Sequence, residues 1–227
     1  MFKSKKDSTK PVSLAMRETL FGDQDAWPPA TVGVLARATE PWSSFLRAQE
    51  LAADKNFVEA AKVFYQIAAS PEQESRQILQ AWHFLRRAGF APPPEKAKQV
   101  LGVVVEVGMP KGLDLLAAYA DHSARYWNFS GAGVVWEHPD HSLDPFIDHL
   151  LQNAAVAAQQ IGPWDKERPA APTAGIARLN ILTPSGLHFG QGPIEMLTND
   201  PMGGRIFASA SLLMQRLIEA SKQARPA

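Results

Sequence analysis

The sequence predicts an α+β protein, with helical hairpins first and then an antiparallel sheet covered by two helices. Three observations predict it. Apolar residues recur at helical spacing between residues 41 and 88. Near residue 101 the chain changes to short β-branched or alternating runs separated by turn residues. Two long apolar stripes of helical period follow, one after Ser142 and one after Arg205.

Residues 1–13 are polar and lysine-rich without periodicity, and read as a disordered basic tail. Residues 14–100 form a mainly helical region, in which 14–39 is ambiguous between short helix and strand. Pro41-Trp42-Ser43-Ser44 opens the first clear helix, and Phe45, Ala48, Leu51 and Ala52 give it an apolar face. A second helix carries Phe57, Ala60, Ala61, Phe64, Ile67 and Ala68, and Ser70-Pro71 ends it. The third covers about 74–88, with Gly89 as its stop and Pro92-Pro93-Pro94 beyond. Glu95 to Val100 is one more short helical stretch. In NFVEAAKVFYQIAASP the order Phe57, Ala60, Phe64, Pro71 resembles a tetratricopeptide repeat over residues 41–71. The resemblance implies a helical protein-interaction surface without catalysis.

Residues 101–227 form the α+β region. Gly102 to Val107 and Leu113 to Ala120 read as strands around the turn 108–112, and Ala124 to Phe129 and Ala132 to Trp136 extend the meander. A helix capped at Ser142 follows, with Leu143, Phe146, Ile147, Leu150, Leu151, Ala154, Ala158 and Ile161 as its stripe. Residues 163–175 are a proline-rich loop draped on the surface. Ile176 to Thr183 alternates as a strand, Pro184-Ser185-Gly186 turns it, and Leu187-His188-Phe189 starts a return strand with a bulge. Pro193 to Leu197 extends that strand or forms another. The last helix carries Ile206, Phe207, Ala210, Leu213, Met214, Leu217 and Ile218. The element order is similar to longin-like and profilin-like folds, which host unrelated roles.

Composition excludes several classes. The 227 residues hold 23 Lys+Arg and 23 Asp+Glu, so a neutral chain gains no long-range attraction to nucleic acid. Cysteine is absent, so any metal site must use histidine and carboxylate ligands. The start has Lys3, Lys5, Lys6 and Lys10 but no apolar stretch after them, so a cytoplasmic location without membrane insertion is expected.

Three clusters are candidates for chemistry. His138, Asp140, His141 and Asp144 gather histidine and carboxylate at a strand-to-helix connection, the ligand types a divalent metal takes. Asp148 lies one helical turn beyond Asp144. Arg125, Tyr126, Trp127 and Asn128 are a candidate partner-binding strand if one face is exposed. Gly203, Gly204 and Arg205 open the last helix and suit an anion. Asp121-His122-Ser123 holds triad residue types, but adjacent side chains point apart and cannot form a nucleophile–base line.

The reading is therefore a non-catalytic interaction module or assembly subunit, with another protein as partner and homo-oligomerisation open. The alternatives are a metal-dependent hydrolase at residues 138–144 and an anion or small-ligand sensor. The cofactor is unknown: none is the favoured reading, and a divalent metal is the alternative.

Overall fold

The structure, a computed structural model, describes residues 12–25, 27–29 and 32–223. The helical part begins with α1 (Val12–Arg17) and α2 (Val34–Arg37). It continues with α3 (Trp42–Ala53), α4 (Phe57–Ala69), α5 (Ser75–Arg87) and α6 (Pro94–Ala97). The tail expected over 1–13 lies outside the described residues except at its end. Val12 and Ser13 are helical, and buried Ser13 accepts a hydrogen bond from the Leu113 amide at 3.1 Å. Small residues let the hairpin close. Ala48, Ala60 and Ala61 are buried between Phe45 and Phe64, and Trp82 and Leu85 of α5 complete this core.

The strands are β1 (Gly102–Met109), β2 (Gly112–Tyr119), β3 (Ala124–Trp127) and β4 (Gly133–Trp136). Helix α7 (Asp144–Gln160) precedes β5 (Ile176–Thr183) and β6 (Gly186–Pro193). Among the described residues they make one antiparallel sheet, ordered β4-β3-β2-β1-β5-β6. The chain ends in α8 (Ile194–Asn199) and α9 (Gly203–Gln223).

Alternation along the strands serves two cores. Val103, Val105, Leu116, Leu179 and Ile181 face α7 and α9. Val104, Leu115, Ala117, Tyr119 and Leu182 face the other way, toward Leu20, Phe21 and Leu79 of the N-terminal part. Helices thus cover both faces, and the helical part shares a core with the sheet. Tyr119 fixes this contact, donating its hydroxyl to the Leu20 carbonyl at 2.7 Å from full burial.

Two local expectations fail. Residues 194–199 are helical rather than a strand extension. Pro193 closes β6 and begins the helix, where Thr198 Oγ1 and Asn199 Nδ2 donate back to the Glu195 carbonyl at 2.9 and 2.8 Å. Strand β6 also pairs with β5 in unbroken register from Gly186 to Pro193, with no bulge. The loop 163–175 is tied down by buried charge. Arg17 Nη2 donates to the Pro169 carbonyl and Arg178 Nη2 to the Ala170 carbonyl, and both arginines pair with fully buried Glu106.

Candidate metal centre

The hairpin register builds the site. Ala124 at the start of β3 pairs with Trp136 at the end of β4. His122 lies two residues before that pair and His138 two residues after it, so the two imidazoles meet at one end of the ladder. Their ring centroids are 5.2 Å apart. Both residues have positive φ, 61° at His122 and 52° at His138, which turns their side chains out of the strand path. Asp144 completes the group from the first turn of α7, where the helix dipole favours a carboxylate. One ligand atom from each of His122, His138 and Asp144 lies within 4.8 Å of the others.

The outer partners assign roles to the ring nitrogens. His122 Nε2 is 3.0 Å from Asp148 Oδ1, which leaves Nδ1 turned toward Asp144 at 3.9 Å. His141 Nδ1 is 2.7 Å from Asp144 Oδ2 and occupies that oxygen. Asp144 Oδ1 is buried without a well-formed hydrogen bond, although His138 Nε2 lies 3.0 Å from it. Desolvation alone raises the Asp144 carboxyl, but the hydrogen bonds from His141 and His138 hold it below its ordinary value.

The residues fit a metal by the chemistry of their donor set. His122 Nδ1, His138 Nε2 and Asp144 Oδ1 are two imidazole nitrogens and a carboxylate, the donor set of a zinc-type dication. Metal–ligand bonds of about 2.0–2.2 Å place tetrahedral ligand atoms about 3.4 Å apart, within reach of side-chain rotation. Asp148 and His141 would orient the ligands from outside.

The sequence places His138, His141 and Asp144 correctly in one cluster, with His141 outside the three-residue group. Asp140 does not join them. Its Oδ1 accepts from the Ser142 amide at 2.8 Å, and the Ser142 hydrogen bonds hold its carboxyl below the ordinary range. His122 was the missing residue, and its signal was the equal offset of two histidines from a strand pair.

Residues of the other two clusters make contacts within the protein. Arg125 is buried and ion-paired with Glu137, because its strand is covered on both faces. Tyr126 and Trp127 pack against opposite cores, and Asn128 Oδ1 shapes the next turn by accepting from the Ser130 and Ala132 amides. At the start of α9 the anion seat is filled from within. Asp200 Oδ1 accepts from the Gly203 amide at 2.6 Å and the Met202 amide at 3.0 Å. Gly203 and Gly204 are needed for close packing, since a Cβ on Gly204 would lie 2.6 Å from the Thr198 carbonyl oxygen. Arg205 instead lines a cleft with His149 and Asn153.

Among the described residues no helix is long and apolar enough to cross a membrane. Comparison of the chain with protein-family models, with curated proteins and with solved structures gives no match.

Proposed function

We propose that this protein is a non-catalytic module that binds a divalent transition metal through His122, His138 and Asp144. The observation that carries the reading is the convergence of one ligand atom each from His122, His138 and Asp144 within 4.8 Å of one another. Two outer carboxylate or imidazole partners support it, because ligands held in one tautomer and rotamer bind with less ordering cost.

Metal analysis of untagged protein, followed by zinc and cobalt titration, tests the proposal. Expected are one equivalent of bound metal and a raised melting temperature, both lost in His122→Ala. Cobalt absorption without strong visible bands, or a zinc response unchanged in His122→Ala, overturns it.

A second reading, protein interaction through the helical part, is favoured by one observation. Val34 and Leu35 of α2 are 86% and 89% exposed beside a cleft of about 700 Å³ lined by Trp27, Phe57 and Phe64. Capture of a specific partner by the wild type but not by Leu35→Asp supports it, and recovery of chaperones alone refutes it.

A further inference from the structure

A cleft of about 850 Å³ lies where α5, the segment around Phe21, the loop after Gly162 and the β5–β6 turn meet. That volume is in the range of small-molecule sites. Its cations are incompletely matched. Arg86 donates Nη1 to the Pro184 carbonyl at 2.6 Å, and among the described residues it pairs with no carboxylate. Arg168 gives Nε to Asp23 and Nη2 to Glu18, but its Nη1 is buried with no partner among the described residues. His83 Nε2 is also buried with no hydrogen bond among the described residues, 3.5 Å from an Asp25 that already holds Arg87. Desolvation brings the Arg86 guanidinium down to about 10, against the pull of Asp23.

Apolar surface accompanies these donors. Trp164 stands edge-on to Phe189 at 5.2 Å, and Phe21 lies under the Arg168 guanidinium at 4.1 Å. Leu79 and Leu182 complete the apolar wall. Acids also line the opening. Asp23 and Asp25 are taken by Arg168 and Arg87, while Asp165 and Glu167 lie on the exposed loop.

We propose that this cleft binds a small organic anion, a carboxylate or phosphate monoester carrying an aromatic group. The anion sits on Arg86, with Arg168 Nη1 and His83 as further donors, and the ring lies against Trp164. A planar guanidinium without a carboxylate partner matches either anion in two-point fashion. The apolar walls select against the bare ion. The cleft shares no residue with the metal centre, so either proposal can fail alone.

Titration of the wild-type chain with phenyl phosphate, benzoate, inorganic phosphate and phenol tests it by calorimetry. Phenyl phosphate or benzoate is expected to bind at least tenfold more tightly than inorganic phosphate, and phenol not to bind. The stronger of the two identifies the anion. Arg86→Gln is expected to lose at least tenfold, whereas Arg216→Gln, on α9 outside the cleft, keeps the affinity. Hydrogen exchange on the wild type supplies a readout that needs no variant, with slowed exchange expected at residues 163–168 and 183–187. No binding of either aromatic anion, protection elsewhere, or undiminished affinity in a folded Arg86→Gln overturns the proposal.

Discussion

Ser75 and Asp121 cap each other across 46 residues of sequence. The Ser75 amide donates to Asp121 Oδ2 at 2.7 Å, and the Asp121 amide donates to Ser75 Oγ at 3.0 Å. The start of α5 is therefore fastened to the β2–β3 turn, the turn that presents His122. Asp121 Oδ1 also accepts from the Ser123 amide at 2.9 Å, so one carboxylate shapes the turn and docks the helix.

Asp121→Ala should destabilise the fold by about 1–3 kcal/mol, the cost of leaving buried amides unsatisfied. Urea unfolding measures it, and a loss below half the lower figure contradicts the docking role. Desolvation works against the Asp121 charge, yet the Ser123 and Ser75 hydrogen bonds hold its carboxyl below the ordinary value. Its contribution is thus present above the unfolded carboxyl value of about 3.9 and lost as pH falls through the lower folded value. The alanine variant should show a shallower acid loss.

Glu106 is a buried anion between Arg17 and Arg178, and Asn180 Nδ2 donates to it at 3.1 Å. Glu106→Gln removes the charge but keeps the shape, leaving Arg178 without a counter-charge and Arg17 with Glu18 at 3.4 Å. A loss of about 3–5 kcal/mol is expected by equilibrium denaturation. The loop around Pro169 and Ala170 should exchange its amides faster, because the same arginines hold its carbonyls. Wild-type stability in this variant contradicts the account.

His188 is buried, with Nδ1 3.2 Å from the Ile161 carbonyl and Nε2 3.2 Å from Ser185 Oγ. The carbonyl requires a proton on Nδ1, so Nε2 accepts from the serine. Desolvation lowers its pKa, opposed by the Ile161 hydrogen bond. Unfolding raises the value toward about 6.5, so the unfolded chain binds more protons in this window. Stability is fully present above about 6.5 and declines as pH falls toward the lower folded value. Desolvation also lowers His83 in the same direction, so His188→Asn should flatten only part of the slope below about pH 6.5. Identical slopes in the two proteins refute it.

Gly204→Ala should cost about 1–3 kcal/mol, since its Cβ meets the Thr198 carbonyl oxygen at 2.6 Å. Gly162→Ala is the control, with nothing within 4 Å of the new atom. Comparable melting temperatures for the two variants contradict the packing role of Gly204.

Asp140→Ala separates the two versions of the metal centre. It should leave zinc binding within twofold of wild type, whereas Asp144→Asn should abolish it. Loss of binding in Asp140→Ala restores the ligand set expected from the sequence alone.

The sequence by itself determined the types of the longer elements. The stripe on α9 and the alternation of β5 depend on local period, and period survives in one dimension. It also limited any metal ligand to histidine and carboxylate, and pointed to residues 138–144. The tertiary structure decided which side chains meet. His122 and His138 are 16 positions apart, and only the Ala124–Trp136 pairing sets them side by side. It likewise decided that Arg125 is covered and that Asp200 fills the start of α9, because burial and capping partners come from segments that local pattern does not connect. The cleft at Arg86 arises in the same way, from four separate segments that no local pattern connects.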